Sequence, residues 1–233
     1  MERFARLYKD NQAAFAASAA ATLMGLGAIV YLKRNANKSP AFLRDPFFEE
    51  NVLSYSEECA QRAQQLSNVS YQLLLTLNEE QSEGFSGCLK TDFTLSASAL
   101  APLYLDFQGQ EISQVSVNGK ACSLADVRFE KHRIYLPMAQ LKENESNTVS
   151  LHFKNTYVTN SAGLHYYKDP KDNQVYIYSH LEPFFCHRFF PCFDQPSVKA
   201  PLKLTVVSPK SEWKVIGNAA ETDRAIEIKS GAG

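Results

Sequence analysis

From Val69 onward the chain alternates short β-like runs with turn formers at roughly ten-residue spacing, which leaves few folds open to it. Tyr71 to Leu77 is rich in leucine and reads as a strand. Leu103, Leu105 and Phe107 alternate with Tyr104, Asp106 and Gln108, the two-residue period of a half-buried strand. Ile112 to Val117 runs into Asn118-Gly119, the strongest short hairpin signal. Val149 to Lys154 alternates again, and Val175 to Tyr178 and Leu202 to Val206 follow, set apart by turn formers such as Asp169 to Asn173. The expected fold is mainly β, a sandwich or open antiparallel sheets over residues 53–233, with no internal repeat. One short helix precedes it. Ser54 to Leu66 opens with a capping serine and acids and continues in good helix formers.

The N-terminal part has a different character. Ala13 to Leu32 is a run of 20 residues without a charge. As a helix such a run rises about 30 Å, the thickness of a bilayer core. Lys33 and Arg34 close it, and Tyr31 stands where an interfacial aromatic belongs. The expectation is a transmembrane helix at 13–32, after a short basic segment at 1–12 and before a linker at 33–52 that contains Pro40 and Pro46. Ala13, Ala17, Ala21 and Gly25 fall four residues apart and make a ridge of small side chains, the kind of surface on which membrane helices pack. The expected partners are therefore the lipid bilayer and other membrane-protein subunits.

Charge separates the same two parts. Residues 1–38 carry six Lys/Arg and two acids, although the whole chain has a net charge of -1. The remainder is mildly acidic, which excludes the basic footprint of a nucleic-acid binder. Five cysteines (Cys59, Cys88, Cys122, Cys186, Cys192) are too few and too widely spaced for a disulfide framework. They read as small buried thiols. Cys186, His187 and Cys192 lie close in sequence but lack the paired spacing of zinc modules, so no metal and no cofactor is expected. Asn68-Val-Ser70 and Asn144-Glu-Ser146 are glycosylation tripeptides that would matter only in a secretory compartment.

The stretch from Gly163 to Ala200 contains Tyr178-Ser-His-Leu-Glu-Pro-Phe-Phe-Cys-His-Arg-Phe-Phe-Pro-Cys-Phe-Asp-Gln-Pro196. It resembles the amine-binding signature of the zinc aminopeptidase N family. The likeness starts near Leu53 and covers about 180 residues, the family's front domain. The resemblance implies a saddle-shaped antiparallel β domain. It also implies that Glu182 stands where the family's glutamate holds the substrate's free α-amine, a charge-assisted pairing that selects an unblocked N-terminus. The family's usual glutamine two residues earlier is His180 here, so Glu182 and His180 are expected to be a vestigial amine site.

Family enzymes also carry a Gly-x-Met-Glu-Asn loop and a His-Glu-x-x-His helix that binds zinc. Here His132, His152, His165, His180 and His187 include none followed by glutamate and no pair with that spacing. The expectation is a chain truncated before the zinc domain, without catalytic residues and without a small-molecule substrate. The expected role is that of a single-pass accessory subunit in a membrane complex. The mitochondrial inner membrane, with its respiratory and ATP synthase complexes, is the expected location. The alternatives are a module that binds peptide N-termini and one half of a split zinc aminopeptidase.

Overall fold

The computed structural model describes residues 56–96 and 102–222. The basic segment 1–12, the 13–32 span with Ala13, Ala17, Ala21 and Gly25, and the linker 33–52 lie outside the described residues, as does everything else before Ser56. Among the described residues no helix is long and apolar enough to cross a membrane.

The described part opens with helix α1 (Ser56–Gln65), with Glu57 and Glu58 in its first turn and Arg62 in its last, charges that suit the helix dipole at both ends. The helix gives way to strand β1 at Leu66, one residue earlier than the sequence pattern predicts. β1 (Leu66–Leu77) and β2 (Phe85–Leu95) form an antiparallel hairpin. Val69, Tyr71, Leu73, Leu75 and Leu77 on one strand, and Phe85, Leu89, Phe93 and Leu95 on the other, face the core. The remaining strands are β3 (Tyr104–Asp106), β4 (Glu111–Val117), β5 (Lys120–Ala121), β6 (Phe129–Glu130), β7 (Arg133–Tyr135), β8 (Ser146–Asn155), β9 (Gly163–Lys168), β10 (Val175–His180) and β11 (Leu202–Val207).

They assemble into a six-stranded sheet in the order β11-β1-β2-β8-β4-β5, a three-stranded sheet β3-β7-β6, and the β9–β10 hairpin. A mainly β domain with open sheets and one preceding helix is thus what forms. The turn between β4 and β5 has Asn118 at φ 52 and Gly119 at φ 78, both in the left-handed region that a type I′ turn demands. The Asn118 side chain also joins the turn to β8, accepting from the Thr148 amide at 2.9 Å.

Two expectations need correction. β11 runs parallel to β1, with Tyr71, Leu73 and Leu75 opposite Leu202, Leu204 and Val206. The sheet is therefore mixed, because β11 enters after the long excursion through β3 to β10 and arrives from the far end. The half-buried alternation expected at Leu103 to Gln108 is also absent: Tyr104, Leu105 and Asp106 are all buried. β3 has α1 against it through Arg62, and the Cys192 segment is bridged to its backbone at Asp106. Its inward Leu105 meets apolar neighbours, while its Tyr104 and Asp106 meet charged ones.

Phe85, Phe107 and Phe153 interlock edge to face in the core, with Phe153 centred 5.4 Å from Phe107 and 6.4 Å from Phe85. The aromatic motif of the sequence completes the same core. Phe189 lies 6.3 Å from Phe85, Phe190 5.6 Å from Tyr71, and Phe193 5.6 Å from Phe93.

Candidate functional site

The motif residues divide into two groups with opposite fates. Residues 185–195 turn inward. Phe185, His187, Arg188, Phe189, Phe190, Cys192, Phe193 and Gln195 are all buried. Cys192 pairs with Asp106 as an isolated antiparallel bridge, with the Asp106 amide donating to the Cys192 carbonyl at 2.7 Å and the Cys192 amide returning at 3.0 Å. The Phe193 amide donates to the buried Tyr71 hydroxyl at 2.9 Å.

The Asp194-Gln195 pair then fastens helix α1 to the β domain. Arg62, 3% exposed, donates from Nε to Gln195 Oε1 at 2.6 Å and from Nη1 to Asp106 Oδ2 at 2.8 Å. The Asp194 amide donates to the same Asp106 oxygen at 3.0 Å. Gln195 Nε2 donates in turn to the Cys59 carbonyl at 2.9 Å and to Ser197 Oγ at 2.7 Å. Beside this cluster Arg133 grips Glu58 with two hydrogen bonds, at 2.8 and 3.0 Å. The Arg62 and Arg133 guanidinium carbons lie 4.7 and 4.3 Å from the centre of the Tyr104 ring, so one aromatic ring serves two cations.

Electrostatics follow from that burial. Desolvation pushes the Asp106 carboxyl above the ordinary carboxylate range, and the charge of Arg62 only partly offsets it. At the more open Glu58 burial also works against the charge. Hydrogen bonds from Tyr104 and Arg133, with the charges of Arg133 and Arg62, outweigh it and hold the carboxyl below its usual value. Burial pushes the Cys192 thiol well up.

His187 and Asp194 form a second pair. Asp194 Oδ2 lies 2.6 Å from His187 Nδ1 and accepts the His187 amide at 3.0 Å. Cys186, at the start of the short turn Cys186–Arg188, brings its sulfur toward Cys192 and Asp194. Of the five free thiols only Cys192 is buried and the others are half-buried, so the expected set of buried thiols holds for one of them.

Glu182 and His180, the two residues tied to amine recognition, turn outward. Both are exposed at the end of β10. His180 Nδ1 lies 2.6 Å from the Ser161 carbonyl and is thereby tied to the loop before β9. Glu182 makes no ion pair with another described residue, and its peptide bond to Pro183 is cis. The structure therefore offers an exposed carboxylate and a tethered histidine, while residues 185–195 help hold the domain together. Sequence reasoning located Glu182 and His180 but missed the Arg62–Asp106–Gln195 clamp. The signal for it was a lone arginine at the end of an otherwise polar helix, and nothing local says which face of such a helix is buried.

The fold and this motif define a front domain of the peptidase type. The chain belongs to the family of the peptidase M1 N-terminal domain, whose model matches residues 67–230. Aminopeptidase N of Streptomyces lividans is 32% identical over 163 residues, 70% of this chain and 18% of that protein. The probable aminopeptidase 1 of Sulfurisphaera tokodaii is 31% identical over 149 residues, covering 64% of this chain and 17% of its own. The chain thus spans less than a fifth of the length of either relative. Among solved structures, aminopeptidase A of Legionella pneumophila in complex with aspartic acid superimposes with a TM-score of 0.51 at 15% identity, over 61% of this chain and 16% of that one. Leukotriene A4 hydrolase of Saccharomyces cerevisiae gives 0.50 at 21% identity, over 75% and 27%. Both likenesses concern the fold.

Proposed function

We propose that the chain acts by binding, as a non-catalytic accessory subunit of a larger membrane complex. In this reading residues 13–32 hold it in a bilayer, that of the inner mitochondrial membrane, and the β domain docks on a neighbouring subunit. The observation that carries the docking half is strand β11. In a parallel pair, opposite residues share a face, so Leu202 and Leu204 stand on the same side of the sheet as Tyr71 and Leu73. Tyr71 and Leu73 are 7% and 2% exposed, whereas Leu202 and Leu204 are 43% and 44% exposed. The core side of the sheet thus continues past its cover. β11 is also the end strand of the sheet among the described residues, so its outer edge offers unpaired backbone groups. An apolar row beside an open edge fits an extended segment of a partner, whose backbone would pair while its side chains cover the leucines.

The test is a photo-crosslinker at Leu204, with the chain extracted from mitochondrial membranes in mild detergent. The expected product is an adduct with another membrane-complex subunit, lost when Leu202→Glu is added to the chain that carries the crosslinker. A monomer that crosslinks only to itself overturns the reading.

Glu182 favours a second reading, capture of peptide N-termini, because it is the one motif carboxylate left exposed and without an ion pair. An exposed ion pair contributes about 1 kcal/mol or less, so the expected affinity is weak. Calorimetry with a free and an N-acetylated peptide decides the matter. Binding of the free form alone, abolished by Glu182→Ala, supports capture; equal binding, or none, removes it. The same carboxylate would serve a split zinc aminopeptidase only with a partner that brings the metal-bound water.

A further inference from the structure

We propose that Cys186, Cys192 and Asp194 form a binding site for a zinc-class divalent ion, with one coordination position left for water or a further ligand. The three donor atoms, two sulfurs and a carboxylate oxygen, all lie within 4.8 Å of one another. In a tetrahedral zinc site with Zn–S near 2.3 Å and Zn–O near 2.0 Å, donors sit about 3.5–3.8 Å apart. Capture therefore requires a contraction of at most roughly 1.3 Å, within reach of χ rotations. Two thiolates and one carboxylate suit zinc or cadmium, and disfavour magnesium or calcium, which prefer all-oxygen shells.

The surroundings hold these donors in place. Cys192 is fixed by its two backbone hydrogen bonds to Asp106, at 2.7 and 3.0 Å. The Cys186 carbonyl accepts the amides of Phe189 and Phe190 at 2.8 and 3.1 Å, which locks the turn that carries its sulfur. Asp194 is oriented by the His187 amide and ring, so the histidine that sequence proximity would make a ligand instead supports the carboxylate from behind. Phe184 lies against that ring at a tilt of 31°, with centroids 5.2 Å apart. The sulfur of Cys192 is buried and that of Cys186 half-buried, which gives an entry side and a closed side.

Charge balance permits the exchange. Each thiol releases one proton as its sulfur bonds the metal, so two protons leave as one doubly charged ion arrives. The net charge of the site does not change, and no uncompensated charge is buried. The Arg62–Asp106 ion pair lies outside the donor set and is untouched.

The test uses the 233-residue chain, reduced and freed of metal, titrated with Cd2+ and then with Zn2+. The expected result is one equivalent of Cd2+ bound with a thiolate-to-cadmium ultraviolet band, which a large excess of Zn2+ weakens by competition. Supporting side chains alone change metal affinity about 10- to 100-fold, so loss of a direct ligand in Cys186→Ser should weaken binding by at least about 100-fold. Cys88→Ser and Cys122→Ser should bind like the parent. Circular dichroism of Cys186→Ser, whose site is half-exposed, shows that the fold persists; Asp194→Asn should retain the sulfur band but bind more weakly. The proposal fails if no band forms at stoichiometric Cd2+, if Cys186→Ser binds undiminished, or if the thiols close to a disulfide in air and the reduced chain still takes up no metal.

Discussion

Replacing Asp106 with alanine should cost the β domain about 3–5 kcal/mol, because it leaves Arg62 charged and buried without its partner. Arg62 is 3% exposed and donates to Asp106 at 2.8 Å, so water cannot replace the lost carboxylate without opening the contact between α1 and β3. The Asp194 amide loses its acceptor in the same step. For a domain of this size the loss corresponds to a drop in Tm of roughly 6–20 °C. The double variant Arg62→Met/Asp106→Leu should recover most of it, since both charges leave together and their desolvation cost leaves with them. Denaturant midpoints of Arg62→Met, Asp106→Leu and the double variant complete the cycle. A double variant as unstable as Asp106→Ala would show that the cost lies in packing and not in charge.

The pH dependence has a definite sign at each carboxyl. Asp106 has its folded-state pKa raised by burial, so folding favours its neutral form. Its contribution is full below the ordinary carboxylate range and declines as pH rises through the raised value. Glu58 is held low despite its burial, so its contribution is present above the ordinary range and is lost as pH falls through the folded value. The double variant at Arg62 and Asp106 therefore loses the first slope and keeps most of the second, which Tyr104 and Arg133 chiefly supply. Stability measured from acid to neutral pH should rise more steeply in it than in the parent.

These contacts also explain how far the sequence could be read. Strands whose environment changes from one face to the other were legible: Val149 to Lys154 alternates and lies in β8, and Asn118-Gly119 announces its own turn. Tyr104, Leu105 and Asp106 alternate in polarity but not in exposure, so their pattern misleads. Burial beside Arg62 makes Asp106 an interior residue. The direction of β11 was illegible for a different reason, since strand polarity depends on the path of the intervening residues and not on Leu202 to Val207 themselves. Even β2, which alternates from Phe85 to Leu95, is obscured by Gly87 and Thr91 at buried positions. Within the candidate site, the order of residues drew attention to His187 as a neighbour of Cys186, while the turn delivers Asp194 there. Six and eight residues of separation from Cys186 carry no metal-site signature in sequence.

The buried glycine of β2 supports the second large effect. Gly87 lies opposite Phe153 in the antiparallel register between β2 and β8. A Cβ at this position would meet the Phe153 ring at 2.5 Å from Cζ and 2.6 Å from Cε1, and the Leu74 carbonyl at 3.1 Å. The ring occupies the space that the missing side chain leaves, and from there it packs edge-on against Phe107 and Phe85. Phe153→Ala should cost about 3–5 kcal/mol, combining lost burial with a cavity that neighbouring strands cannot close. Gly87→Ala should cost about 1–3 kcal/mol, because the ring must leave its place among three aromatics. The two losses should not add. In Gly87→Ala/Phe153→Ala the new methyl group enters the vacated volume, so the double variant should be no less stable than Phe153→Ala alone. Chemical denaturation of all three variants reads the coupling directly. Strict additivity would mean that the backbone of β2, held by the Leu74 carbonyl on its other side, resists the methyl group independently of the ring.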